Sequence, residues 1–165
     1  MDTSMIGKIE KAKRYAQEPQ RVTLNSLAIE FTGDNSTYNL SLGPDGWHCT
    51  CPGFQTYGIC PHIMALEKVL GKMLKRDPLP YAPGQNIVSD VKKAHRYSEE
   101  LDRLHIRTFD ASFQGGHADH QITYEQGNWG CSCSFFQRRN ICTHTMTLER
   151  ILKNTVMPIT NAVGD

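Results

Sequence analysis

Apolar residues follow two rhythms along this chain, and the whole succession occurs twice. Ile6, Ile9, Ala12 and Tyr15 recur at helical spacing and predict a short amphipathic helix; Val88, Val91, Ala94 and Tyr97 repeat it. The rhythm then changes to a period of two. Leu27, Ile29 and Phe31 alternate with polar residues, as do Phe109, Ala111 and Phe113, which predicts a half-buried strand in each copy. Gly33-Asp34-Asn35 and Gly115-Gly116 are turn signals, and second alternating runs follow at Tyr38, Leu40, Leu42 and at His120, Ile122, Tyr124. After Pro44-Asp45-Gly46 and Gln126-Gly127-Asn128 a third short strand is predicted, with Trp47, Cys49 and Cys51 on one face. A helix starting near Pro61, a residue suited to a first helical position, carries a stripe of Leu66, Val69, Leu70 and Met73; Leu148, Ile151 and Leu152 match it.

The two copies are related residue by residue. Without a gap, positions 82 apart carry the same residue at Lys11/Lys93, Arg14/Arg96, Tyr15/Tyr97, Arg21/Arg103, Phe31/Phe113, Trp47/Trp129, Gln55/Gln137 and Leu66/Leu148. A repeat at fixed spacing is one structural unit used twice. The expected fold is α+β: two duplicated small modules, each an N-terminal helix, a three-stranded antiparallel sheet and a C-terminal helix. The first covers residues 1–77 and the second 87–165, and residues 78–86 form a proline-rich linker. Halves of about 80 residues have thin cores and need a further source of stability.

That source is legible in the cysteines. Cys49-Thr50-Cys51, eight residues, Cys60-Pro61-His62 recurs as Cys131-Ser132-Cys133, eight residues, Cys142-Thr143-His144, and the two sets use all six cysteines of the chain. Three thiolates and one imidazole form a closed tetrahedral set of the kind that holds structural zinc. Two cysteines one residue apart at a strand end face one ion; the other two ligands approach from the start of the following helix. Two structural zinc ions are therefore expected, each stapling a sheet to a helix. Disulfides fit poorly, because each copy holds an odd number of cysteines and a Cys-x-Cys bridge is tight. No cysteine remains as a free nucleophile and four strong ligands leave no open metal position, so no enzyme is expected. The other histidines, His48, His95, His105, His117 and His120, have no histidine counterpart in the opposite copy and read as ordinary surface or strand residues.

This constellation resembles the SWIM-type zinc finger, whose pattern is Cys-x-Cys, a variable gap, then Cys-x-His. Cys49, Cys51, Cys60 and His62, then Cys131, Cys133, Cys142 and His144, carry the resemblance, which covers about residues 22–74 and 104–154. It implies zinc binding together with DNA binding or protein–protein contact. The family occurs in chromatin-remodelling ATPases, plant transposases and some small recombination-associated or bacterial proteins. This chain has no nucleotide-binding glycine loop ending in Lys-Ser or Lys-Thr, so nothing here implies ATPase or transposase activity.

Composition narrows the partner. The formal net charge is +1, and two loaded sites of about −1 each bring it near −1, so binding of nucleic acid has to come from local patches. Candidate patches are the basic first helices, with Lys11 and Arg14 and then Lys93 and Arg96, and the loop from Ser134 to Ile141, where Arg138 and Arg139 stand beside Phe135. The reading is a non-enzymatic zinc-binding protein that contacts DNA or RNA, directly or within a nucleoprotein complex. The alternative is a protein-interaction adaptor. No small-molecule substrate is indicated, and no apolar run is long enough for a membrane span. The expected compartment is the reducing cytoplasm, or the nucleoid or nucleus if nucleic acid is bound.

Overall fold

The computed structural model describes residues 3–160. In chain order the first half supplies α1 (Thr3–Tyr15), β1 (Val22–Thr32), β2 (Thr37–Gly43), β3 (Gly46–Cys49), α2 (Pro52–Tyr57) and α3 (Pro61–Leu74). The second supplies α4 (Ile87–Ser98), β4 (Leu104–Gln114), β5 (Asp119–Glu125), β6 (Asn128–Cys131), α5 (Ser134–Arg139) and α6 (Thr143–Ile151). A single 3-10 turn, Pro19–Arg21 and Leu101–Arg103, precedes the long strand of each half.

The expected pair of separate three-stranded sheets is replaced by one six-stranded sheet in the order β3-β2-β1-β4-β5-β6, with every neighbour antiparallel. The physical reason lies in β1 and β4. Each has 11 residues, and left unpaired it would present a long edge of open N–H and C=O groups. They close each other instead. Val22 pairs with Phe113 and Phe31 with Leu104, so equivalent residues exchange partners, and Leu27 meets its own equivalent, Phe109.

The long strands also change face midway. Val22 and Leu24, then Leu27, Ile29 and Phe31, are all buried, as are Leu104 and Ile106, then Phe109, Ala111 and Phe113. The register slips at Asn25 on β1 and at its equivalent, Arg107, on β4. A one-residue bulge resets the parity, so both stretches can aim at the same core.

The helices are exchanged between the halves. α1 packs against α6, and α4 packs against α3. Each first helix thus covers the other half's last helix, which overturns the expected module of helix, sheet and helix. Of the stripes predicted on these two first helices only the C-terminal ends are buried, Ala12 with Tyr15 and Ala94 with Tyr97; Ile6, Val88 and Val91 are exposed. The segment predicted as a linker is tied down. The Leu79 N–H donates to Glu67 Oε2 (2.8 Å), Leu79 and Ala82 pack on the core, and Gln85 is buried.

Candidate metal centres

Each ligand set is assembled from three local pieces. Cys49 and Cys131 end the short strands β3 and β6. Cys51 lies beyond β3, not on it, and serves as the N-cap of α2; Cys133 does the same for α5. Their sulfurs accept from the backbone N–H groups of Phe54 and Phe136 at 3.4 Å. Cys60 and Cys142 are the N-caps of α3 and α6, and they bring His62 and His144 into the first turn. The stretch between ligands, expected as a loop, is thus a six-residue helix in both halves. Helix N-termini favour negative sulfur, so the caps support thiolates before any metal is considered.

The four donor atoms of each set, Cys49, Cys51, Cys60 and His62, and Cys131, Cys133, Cys142 and His144, all lie within 4.8 Å of one another. Nδ1 is the imidazole atom that faces the sulfurs: it stands 3.8 Å from Cys49 Sγ in one set, and 3.6 and 3.7 Å from Cys131 and Cys142 Sγ in the other. Zinc–sulfur bonds of about 2.3 Å and zinc–nitrogen bonds of about 2.0–2.1 Å place tetrahedral ligands about 3.5–3.8 Å apart, so both sets fit the ion. Without a dication the thiols crowd one another. Hydrogen bonds from the neighbouring thiols hold Cys51 and Cys142 down, whereas those same bonds, together with burial, push Cys60 and Cys131 up.

A model of the SWIM zinc finger matches residues 34–71 and again residues 120–152, each span enclosing one complete ligand set. The chain carries two SWIM zinc fingers in tandem. Each finger holds one structural zinc ion. No curated protein and no solved structure shows a significant match to the chain. No helix among the described residues is long and apolar enough to cross a membrane.

Around the fingers, the residues repeated at the 82-residue offset acquire jobs. Gln55 and Gln137 each donate to the carbonyl of the first ligand, Cys49 or Cys131, at 2.8 Å. Phe31 and Phe113 set their rings edge-on to the ligand imidazoles of His62 and His144 at 4.8 and 4.9 Å. Gly33 and Gly115 allow the turn to close: a Cβ on Gly33 would stand 3.0 Å from the Ser36 carbonyl and 3.1 Å from the Tyr38 ring, and one on Gly115 would meet the Ala118 carbonyl at 2.6 Å. His120, read from sequence as an ordinary strand residue, instead lies 4.3 Å from the His144 ring, where Tyr38 lies 4.8 Å from His62 in the first finger. The matched position of Tyr38 and His120 was the signal for it.

The candidate contact residues divide between two poles. On α4, Lys93 is exposed and Arg96 is engaged by Asp34 (2.7 Å) and Glu100 (3.6 Å). On α1, Arg14 is exposed and Lys11 stands 5.5 Å from the Tyr15 ring. The helix exchange carries α1 to the second finger, so Lys8 lies 4.2 Å above the Phe135 ring, with Arg139 at 5.4 and Arg138 at 5.9 Å from the same ring. The Lys8 carbonyl also accepts from Thr143 Oγ1 on α6 (3.4 Å).

Metal content checks the assignment directly. Native protein should contain two zinc ions per chain by plasma emission spectroscopy, and prolonged chelation should abolish its near-ultraviolet circular dichroism, because structural zinc contributes folding energy on the order of 10 kcal/mol per site.

Proposed function

We propose that the protein binds nucleic acid without catalysis, using one pole of the molecule. The observation that carries this reading is the cation cluster at Phe135. Three positive side chains, Lys8, Arg138 and Arg139, from two halves of the chain gather on one half-buried ring. A polyanion is drawn to such a concentration of positive charge. With Lys8 seated over it, the ring is a platform that positions cations rather than a free surface for stacking on a base. Such contacts address the phosphate backbone and position a strand without reading its sequence.

The contact should weaken steeply as salt rises. In fluorescence anisotropy with a labelled duplex and a labelled single strand, exchanging Lys8, Arg138 and Arg139 together for Ala should lower affinity by at least a hundredfold at low salt. Replacing Lys92 and Lys93 on α4 by Ala should change it by less than about twofold. Equal losses from both variants would remove the Phe135 cluster from the interface.

A second reading has its own support. At the opposite pole Tyr81, Ile87, Val88 and Val91 are exposed, beside a groove of about 360 Å³ lined by Met64, Glu67, Leu79 and Val91. An apolar patch of this kind suits a protein partner, and its binding would be insensitive to salt.

A further inference from the structure

Each half carries two arginines at matching positions about a tyrosine, and in one half an acid is held between the two. At the first finger the Asp34 carboxylate accepts from Arg96 Nη2 (2.7 Å), Arg96 Nη1 (3.2 Å) and Arg103 Nη2 (3.0 Å). Both guanidiniums lie over the Tyr97 ring, at 4.8 and 4.9 Å. Arg103 is fixed from behind: its Nε donates to Glu100 Oε1 (2.6 Å) and its Nη1 to the Thr32 carbonyl (2.9 Å). The hydrogen bonds from Arg96 above all hold the Asp34 carboxyl down at about 2.

At the second finger the Arg21 side of the cradle is reproduced and the acid that joins the two arginines is missing. Arg21 Nε donates to Glu18 Oε1 (2.6 Å), its Nη1 donates to the Gln114 carbonyl (2.9 Å), and the guanidinium lies 4.6 Å over Tyr15. The turn keeps its shape too: Gly115 N–H donates to the Ala118 carbonyl (3.1 Å) as Gly33 N–H does to the Ser36 carbonyl (2.8 Å). But the residue equivalent to Asp34 is Gly116. Arg21 Nη2, the atom that reaches the carboxylate in the twin, has no partner among the described residues, and no acid pairs there with Arg14. Freed from an acid, Arg14 no longer stacks on the tyrosine, and Lys11 stands over Tyr15 in its stead.

We propose that the exposed Arg14 closes together with Arg21, beside Gly116, on a phosphate of the bound strand, as Arg96 and Arg103 close on Asp34 in the twin. This rests on the nucleic-acid reading above and deepens it. Carboxylate and phosphate oxygens make the same charge-assisted, fork-like contacts with guanidinium groups, so the twin is an internal template for the complex. Lys8, Lys11 and Arg14 follow one another at three-residue spacing on α1, which lays a cationic track from the Phe135 cluster to this cradle. Asp34 is correspondingly an internal plug that silences the first pole.

Three full-length variants test this by anisotropy over a potassium chloride series, with a labelled 20-base-pair duplex and the matching single strand. A Cβ at Gly116 meets nothing within 4 Å and its backbone is not left-handed, so substitutions there fit. Gly116→Asp should weaken binding roughly tenfold and reduce the salt slope by one phosphate, about 0.9 for the duplex or about 0.7 for the single strand. Gly116→Asn, of the same shape and uncharged, should bind as the native protein does. Asp34→Asn should open the twin cradle and tighten binding, with a steeper slope. Equal affinity and slope for the Asp and Asn variants at 116 would overturn the proposal while leaving the Phe135 cluster standing. Should the native protein bind neither strand, the nucleic-acid reading fails, and inorganic phosphate then decides the cradle alone. Shifts of the Arg14 and Arg21 guanidinium resonances in native protein that vanish in Gly116→Asp would keep it, and their absence in native protein would remove it.

Discussion

Cys133→Ser should unfold both halves of the chain, not the second finger alone. The substitution removes one zinc ligand while leaving a hydroxyl able to cap α5 in place of Cys133 Sγ, so the effect reports on the metal. Loss of a structural zinc site forfeits folding energy on the order of 10 kcal/mol, as much as the total stability of an ordinary domain, about 5–15 kcal/mol. The damage has no boundary at which to stop. α6 is the surface that α1 packs on, and β4 is the central partner of β1. In amide correlation spectra, dispersed resonances from first-half core residues such as Ile63 and Leu66 should collapse along with those of Ile122 and Leu148. A spectrum in which the first-half signals stay native would show that the fingers fold autonomously and that the joint sheet is not the cooperative unit.

Tyr97→Ala should weaken zinc binding at the first finger, although Tyr97 belongs to the second half of the sequence. Its ring is stacked on His62 at 5.6 Å and 16°, meets Phe31 at 5.0 Å, and is 2% exposed. Truncating a buried aromatic costs about 3–5 kcal/mol, and here the cavity opens against the ligand imidazole. Competition with a chromophoric chelator should show one zinc released early and one retained, and Cys49→Ser in the same background should identify the early ion as that of the first finger. Tyr15→Ala is the internal contrast. Tyr15 touches Phe113 (5.2 Å), which in turn touches His144, so its effect on zinc should be smaller. Unchanged release of both ions from Tyr97→Ala would mean that the aromatic cover does not steady the ligand.

The metal sites were the most legible part of the chain, because ligand type and spacing are properties of sequence alone, and two identical gaps leave little freedom. Strands with clean alternation, such as Leu27–Phe31 and Phe109–Phe113, were legible for a similar reason. Their extensions back to Val22 and Leu104 were not. The bulges at Asn25 and Arg107 shift the apolar residues from even to odd positions, which a search for a period of two reads as an end. The short helices between ligands were hidden because their caps are cysteines, whose capping depends on the same geometry that gathers the metal site. The helix exchange was beyond sequence reasoning for a different cause. Equivalent halves offer equivalent surfaces, so α1 matches α3 and α6 alike, and only the pairing of β1 with β4 decides which it meets. The same exchange explains why the two basic helices, equal in sequence, are unequal in place: one is brought to Arg138 and Arg139, and the other to Asp34.

The exchanged helices also set the order in which this protein can finish folding. α1 rests on α6, and the Thr143 hydroxyl reaches the Lys8 carbonyl across 135 positions. On the ribosome, where domains emerge at about 5–20 residues per second, α1 is made several seconds before the helix it needs. The first finger likewise lacks Tyr97 until α4 has been made. Contacts so distant along the chain delay the reward for closing the loops between them. Early in synthesis His62 therefore has Phe31 and Tyr38 beside it but not the Tyr97 ring. Zinc arriving at that stage would bridge β3 to α3 and hold a half-built core together until the second half meets it.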